Sequence, residues 1–193
     1  ELGTHQRWRM ARQMPERVEI LSADILPEIA WDIVPARAWV TDSFSIYPIE
    51  IPDIEFEKNQ DLILIDSPAR NLALMPNGLA YVHNALKKTK VKYQTVDTDI
   101  IIYHRYHARR IFDQDGRIFL PSGKEMPTDP WQAEHYELWE DEEVIDYFRP
   151  EIDEIIARLI EANPKILAMS IQQCNETFSR QIVQGVRKEL PEI

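Results

Sequence analysis

The chain has 193 residues, of which 44% are hydrophobic and 28% charged, so it can build one sizeable core with an appendage but not two large domains. Its 33 acidic and 22 basic residues give a net charge of −11, which opposes a phosphate backbone, so we expect no nucleic-acid partner. No apolar run approaches the roughly 20 residues of a membrane span. The single cysteine excludes a disulfide framework or a multi-cysteine metal site within the chain. We therefore expect a cytoplasmic protein with no membrane partner.

The first sixty residues differ in pattern from the rest. Short helices are predicted at residues 5–13 and 23–32, and residues 35–52 mix prolines with aromatic and β-branched side chains, as is typical of extended segments. Residues 1–60 are interpreted as an N-terminal extension, an arm that lies across another surface.

From residue 61 onward, apolar strands alternate with amphipathic helices. The predicted strands are residues 61–66, 91–96 and 166–171, and the predicted helices are residues 77–88, 151–162 and 176–190. Strands that alternate with helices pair in parallel through right-handed crossovers, so residues 61–193 are predicted to form an α/β domain with a doubly wound sheet. Residues 110–149 form an insertion, in which Asp115-Gly116 predicts a tight turn between short strands at 110–112 and 117–120.

Polar residues follow each predicted strand, where open α/β sheets bind ligands. The candidate ligand contacts are Ser67, Pro68, Ala69, Arg70 and Asn71 after the first strand, Asn77 and Gly78 at the first helix, Asp97 after the second strand, and Ser170, Gln172 and Asn175 after the third. The three crossovers should bring positions 67, 97 and 170 together along one rim. An ordinary capped loop and a plain helix start are the structural alternatives for the first two groups.

Three other polar groups are given structural interpretations. Asp97 and Asp99 also fit solvated carboxylates at a strand end, and since no acid–base partner is evident, no catalytic residue is assigned. The spacing of His104 and His107 suits a metal pair, but a third ligand is missing and arginines surround them, so a surface or interdomain helix is favoured and no metal site is assigned. Cys174 is interpreted as a small half-buried residue rather than a reactive thiolate.

The order of these elements resembles the cobalamin-binding domain at the front of many radical S-adenosylmethionine enzymes. In that family the first strand ends in a small-residue and proline loop, a proline–glycine pair opens the first helix, the second strand ends at an aspartate, and the third ends in a serine followed by polar residues and an asparagine. The matching residues here are Leu62–Asp66 with Ser67-Pro68, Pro76 to Gly78, Val96-Asp97, and Met169-Ser170 through Asn175. The resemblance covers about residues 60–193. It implies a flavodoxin-like, Rossmann-like three-layer sandwich that holds a corrinoid at the candidate contacts named above.

The chain also departs from related cobalamin domains. Many methionine-synthase-like domains carry Asp-x-His-x-x-Gly after the first strand, and the imidazole binds cobalt. Here Asp66-Ser67-Pro68 leaves no histidine in that loop, so the cobalt would lack that ligand. The family's fourth strand with its glycine pair and the three-cysteine iron–sulfur motif are not found in this chain. The resemblance therefore implies that the iron–sulfur cluster and S-adenosylmethionine belong to a catalytic barrel elsewhere in a longer polypeptide.

Three functions are consistent with these patterns. The first is the non-catalytic, cobalamin-binding part of a radical S-adenosylmethionine enzyme, a methylase (methyltransferase) or a cyclase, whose partners are the corrinoid and the barrel. The second is a cofactor-free regulatory or protein-interaction module of the same fold, which works through the N-terminal arm and the acidic insertion. A third is a flavin-binding domain, because a phosphate at the first strand–helix loop also suits this fold.

Overall fold

The computed structural model describes residues 50–70, 72, 76–112 and 115–193. The helices predicted at residues 5–13 and 23–32, most of the predicted arm, and Asn71 lie outside these residues. The chain divides into two compact units. One consists of residues 52–107 and 117–193 and contains the whole sheet; the other includes residues 108–116.

The sheet has three parallel strands among the described residues, β1 (Leu62–Asp66), β2 (Tyr93–Asp97) and β3 (Ile166–Ser170), in the order β2-β1-β3. β1 is central, and it is buried from its second residue to its last, as is typical of an inner strand of a parallel sheet. Each strand lies within two residues of its predicted bounds. The predicted α/β class and parallel sheet are confirmed, and the strand order is compatible with a flavodoxin-like fold.

The register brings the ends of the three strands to one rim. Asp66 pairs with Asp97 of β2 on one side and with Ser170 of β3 on the other. The prediction that positions 67, 97 and 170 share a rim is therefore confirmed at the backbone level.

The described residues contain five α-helices, in chain order α1 (Asn77–Leu86), α2 (Thr98–Phe112), α3 (Glu142–Tyr147), α4 (Arg149–Ala162) and α5 (Glu176–Glu189). Two 3₁₀ segments, Ala133–Glu140 and Gln173–Asn175, precede α3 and α5. In α4 a proline lies in the first turn and Asn163 ends the helix in the left-handed conformation, as expected from the positional preferences of these residues. None of the helices in the described part of the chain is both long enough and apolar enough to cross a bilayer.

The insertion differs from the prediction. Residues 110–112 are the last turn of α2 and not a strand, because Ile111 and Phe112 follow buried Ala108 at the helical spacing of three and four residues. Near residues 117–120 the described residues show one isolated antiparallel bridge, between Phe119 and Glu125. The turn at Asp115-Gly116 is present, with positive φ at both residues.

The later part of the insertion contributes to the core. Trp131 and Trp139 are almost fully buried, and their ring centroids lie 5.0 Å apart in an edge-to-face arrangement. The ring of Trp139 also stacks on that of Phe148, which begins α4 as its cap, at 5.1 Å. These contacts hold the insertion against the helices that follow it.

Candidate functional site

The loop after β1 is buried in an unusual conformation. Ser67, Pro68 and Ala69 are buried and Arg70 is 7% exposed. Ala69 has a φ of +86°, a value that residues other than glycine, asparagine and aspartate rarely adopt. The Arg70 side chain pairs with Asp66, four residues earlier.

Three carboxylates surround the Arg70 guanidinium. Its Nε lies 2.9 Å from Asp66 Oδ2 and 3.5 Å from Asp99 Oδ2, and its Nη2 lies 2.8 Å from Asp97 Oδ2. We call Asp66, Arg70, Asp97 and Asp99 the rim cluster. It links the end of β1, the end of β2 and the first turn of α2.

Burial controls the protonation of two of these carboxylates. Burial raises the pKa of Asp66, and the neighbouring Asp97 acts in the same direction, while Arg70 opposes both. Burial also raises the pKa of Asp99 to about 8, although the hydrogen bond from Trp131 and the charge of Arg70 lower it. Asp99 is therefore largely protonated at neutral pH.

The interpretation of Asp99 as a solvated carboxylate is wrong, because its side chain is fully buried. α2 begins at Thr98, directly after β2, and this places Asp99 where Trp131 Nε1 donates a hydrogen bond to its Oδ1. Asp97 remains 28% exposed. Its Oδ1 accepts a hydrogen bond from the Ile100 backbone N–H at 3.1 Å and so caps the start of α2.

The loop after β3 is tied to the loop after β1. Asn175 Nδ2 donates to the backbone carbonyls of Ser67, at 3.3 Å, and Ser170, at 3.2 Å. The Cys174 thiol donates to the carbonyl of Ala69 at 3.3 Å. Burial raises the pKa of Cys174, so the thiolate is disfavoured. Both side chains hold the two loops together.

The candidate contacts are brought together to different extents. The contacts described above link Ser67, Ala69, Ser170 and Asn175 across the two loops. They also link Arg70 to Asp97 within the rim cluster. Pro68 lies in the loop after β1. Gln172 is exposed, although its backbone N–H donates to Asn175 Oδ1 at 2.7 Å. Asn77 and Gly78 are exposed at the start of α1 and take no part in these contacts.

Three residues of this site, Asp66, Asp99 and Trp131, are absent from the candidate contacts that the sequence indicated. Asp66 was assigned to the strand rather than to the site, although a carboxylate at the end of an apolar run is a visible signal. Trp131 lies 32 residues after Asp99, and no local pattern connects them.

The two histidines of α2, His104 and His107, pack against an aromatic side chain. The Tyr103 ring packs against both imidazoles, with centroids 5.2 Å from that of His104 and 4.3 Å from that of His107. Burial lowers the pKa of His104. Within the described residues, no group of three or more His, Cys, Asp or Glu side chains is arranged to hold a metal ion.

No family model, no curated protein and no solved structure matches this chain.

Both polar and apolar groups lie along the rim. Among the described residues, the Ser67 hydroxyl is buried without a hydrogen-bond partner, and such a group usually has one, from protein, water or ligand. Ile171, directly after β3, is 58% exposed, and Ile100, beside Asp97, is 36% exposed. This combination suits a ligand with an apolar face and a hydrogen-bonding edge. A corrinoid, with its macrocycle and its ring of amide side chains, has that character.

Proposed function

We propose that residues 61–193 form a cobalamin-binding domain with a flavodoxin-like three-layer sandwich. In this proposal the domain serves a radical S-adenosylmethionine enzyme, a methyltransferase or a cyclase of the iron–sulfur oxidoreductase type, whose catalytic barrel is outside this chain. The barrel would bind the iron–sulfur cluster and S-adenosylmethionine. We also propose a cytoplasmic location.

The strand order carries this proposal. In a sheet with the order β2-β1-β3, the chain passes from β1 to β2 on one side and crosses back to β3 on the other, so the loops after β1 and β3 flank the switch point of the sheet. Ligands of flavodoxin-like sheets bind at this switch point. The buried, unpartnered Ser67 hydroxyl lies in the first of these loops, and the exposed Gln172 lies in the second.

Each residue of the rim would have a distinct part in holding the cofactor. Ser67, Ser170 and Gln172 would hydrogen-bond the corrinoid amides, and Ile171 would contact the apolar macrocycle. Residues 66–70 contain no imidazole, so this loop would leave the cobalt without a histidine ligand. The bound corrinoid would supply the organometallic chemistry, and the protein would bind and orient it.

Incubation with hydroxocobalamin followed by desalting tests this proposal. We expect the wild-type chain to retain the corrinoid absorbance. Gln172→Ala should retain several-fold less, because an amide that contacts the ligand is lost. Gln184→Ala, which removes an exposed glutamine from α5, is the matched control and should behave as wild type. A colourless wild-type protein whose melting temperature does not change with added corrinoid would contradict the proposal.

One observation favours the alternative function, a cofactor-free regulatory or interaction module. The side chain of Arg70 is only 8% exposed and joins Asp66 to Asp97 across the rim, so the protein's own guanidinium satisfies groups that a ligand could use. The same desalting experiment separates the two functions, since the module would retain no corrinoid.

A further inference from the structure

One loop of this acidic protein carries only positive charge. Residues 67–96 contain no acidic residue, although the chain has 33 of them and a net charge of −11. Lys87, Lys88 and Lys90 lie in the loop between α1 and β2, and all three are exposed. This loop is therefore a local exception to the charge of the chain.

The charges of these lysines are not compensated within the described part of the chain. Lys58 and Lys165, which are also exposed, form salt bridges of 2.8 and 2.6 Å with acidic side chains. No described acidic side chain forms such a bridge with Lys87, Lys88 or Lys90. Three unpaired cations on one loop are thus available to acidic groups of another molecule.

The outward face of α1 adds apolar groups beside these lysines. Tyr81 is 77% exposed and Val82 is 46% exposed. A surface helix normally turns charged residues to solvent, but residues 77–86 contain no Asp, Glu, Lys or Arg. The Lys88 backbone N–H donates to the Ala85 carbonyl at 3.1 Å, so a helical turn continues from α1 to the lysines. Tyr81 and Lys88 are seven residues apart, and two helical turns place them on the same side.

These residues form a surface remote from the rim. We define the basic patch as Tyr81, Val82, Lys87, Lys88 and Lys90. The loop of the patch leads into β2, and the Lys92 carbonyl accepts hydrogen bonds from the N–H groups of Asp61 and Leu62 at the start of β1. The patch therefore lies at the amino ends of these strands, whereas the rim lies at their carboxyl ends. A partner bound to the patch would leave the candidate ligand site open.

The charge of the whole chain favours a compact acidic partner. A membrane surface or a nucleic acid extends beyond a patch of three lysines and would face the remainder of the chain, which is more negative than the net charge of −11. An acidic protein segment can stay within the patch. It can present carboxylates to the lysines and an apolar side chain to Tyr81, and exposed aromatic residues are common anchors of protein interfaces.

We infer that the basic patch is a docking surface for an acidic segment of a partner protein. The carboxylates of this segment pair with the lysines, and an apolar side chain of the segment packs against Tyr81. The inference goes beyond the proposed function and does not depend on it, since the patch and the rim lie at opposite ends of the strands.

Fluorescence anisotropy with the full chain tests this inference. The probe is a fluorescein-labelled oligoglutamate peptide with one central leucine, and the same peptide with glutamine in place of glutamate is its control. We expect the wild-type chain to bind the acidic peptide and not the uncharged one. The dissociation constant should rise at least about threefold between about 0.05 and 0.15 M sodium chloride, because salt screens exposed ion pairs.

The double variant Lys87→Gln/Lys88→Gln tests the charged part of the patch. It should raise the dissociation constant at least about fivefold, as for loss of two exposed ion pairs. The matched control is Arg187→Gln/Lys188→Gln, which removes two adjacent exposed cations near the end of α5 and makes the same change of net charge. This control should bind like wild type. An equal loss in both double variants would be a response to net charge alone and would overturn the inference.

Tyr81→Ala tests the apolar part of the patch. We expect the dissociation constant to rise about tenfold, as for loss of an aromatic anchor. Phe119→Ala, which also removes an exposed aromatic side chain, is the control and should leave the affinity unchanged. Circular dichroism first shows that all variants are folded. An unchanged affinity of Tyr81→Ala would overturn the packing of the partner on this residue.

The other possible occupants of the patch are outcomes of the same test. Absence of binding to the acidic peptide would overturn the inference, as would tighter binding to phosphatidylserine vesicles or to a DNA duplex. A wild-type chain that self-associates in sedimentation velocity, and that becomes monomeric with Lys87→Gln/Lys88→Gln, would identify a second copy as the occupant instead. None of these outcomes alters retention of corrinoid at the rim, so this inference and the proposed function fail separately.

Discussion

Asp99 shows how the surroundings of one residue set its chemistry. It is fully buried, its Oδ1 accepts a hydrogen bond from Trp131, and its Oδ2 lies 3.5 Å from Arg70 Nε. The arginine does not compensate fully for the loss of water, so burial determines the sign of the pKa shift.

This shift predicts a pH dependence of stability. The pKa of Asp99 is about 8 in the folded protein and near 4 in an unfolded chain. Between these values the folded state holds a proton that the unfolded state has lost. The stabilisation that Asp99 contributes is thus fully present below about pH 4, decreases as pH rises, and is lost above about pH 8. Between these pH values the free energy of unfolding falls by up to about 1.4 kcal/mol per pH unit.

Asp99→Asn lacks this titration and can still accept the Trp131 hydrogen bond. As pH rises from about 4 to 8, the wild type loses the stabilisation that comes from protonated Asp99. We therefore expect the free energy of unfolding of the variant to increase relative to that of wild type over this range. Urea unfolding at a series of pH values measures the difference, with Asp153→Asn, which removes an exposed carboxylate from α4, as the control that shows no such trend. A difference between Asp99→Asn and wild type that is constant with pH would contradict the prediction.

The sequence predicted the position of the site better than the conformation and burial of its residues. The polar residues after each strand were visible, and the register places those strand ends together. The backbone of Ala69 was not predictable, since alanine carries no preference for a positive φ. The burial of Asp99 depends on Trp131, and contacts between residues so distant in sequence leave no local pattern.

Among the secondary-structure elements, α4 and α5 pack closely against each other at Gly185. A Cβ placed on Gly185 of α5 would lie 2.9 Å from Ile156 Cγ1 of α4 and closer still to its Cδ1. The glycine therefore allows the two helices to pack tightly at this point.

Gly185→Ala is expected to destabilise the protein. Alanine improves helix propensity by roughly 1 kcal/mol. The added methyl would also displace Ile156 Cγ1, and because χ1 of a β-branched residue is restricted in a helix, we expect an overpacking cost of about 1–3 kcal/mol that exceeds this gain. Ile156→Val removes Cδ1, so the double variant should recover much of the loss in a double-mutant cycle of urea unfolding.

Gly78→Ala in α1 is the matched control for this prediction. Nothing lies within 4 Å of a Cβ at Gly78, so this change should be neutral or stabilising. Equal effects of the two substitutions would show that the contact with Ile156 does not limit the packing.

Elements with clear periodicity were predictable and the insertion was not. The apolar runs of β1 and β3 and the buried stripe of Ile152, Ile155 and Leu159 in α4 each identify their elements. The last turn of α2 was assigned to a strand because the turn predicted at Asp115-Gly116 suggested a short strand on each side. The structure instead continues α2 through this turn to Phe112.

For the whole molecule, net charge is the dominant electrostatic feature. The chain carries a net charge of −11, and its isoelectric point is about 4.9. Self-repulsion of this size opposes the compact state, and salt screens it.

We therefore expect the melting temperature to rise between about 0.01 and 0.15 M sodium chloride at pH 8. Near pH 5, where the net charge is close to zero, the same salt increment should have little effect. Differential scanning calorimetry at both pH values checks this. A salt response of equal size at pH 5 and pH 8 would show that screening of net charge is not its cause.

The single cysteine gives the molecule a built-in reporter. Cys174 is 9% exposed, and its thiol holds the carbonyl of Ala69 across the two loops. An alkylating reagent can reach the sulfur only when these loops separate, so the rate of modification measures how often the two loops separate. Because no other thiol of these 193 residues competes for the reagent, a ligand that bridges the loops would be detected as slower labelling of Cys174.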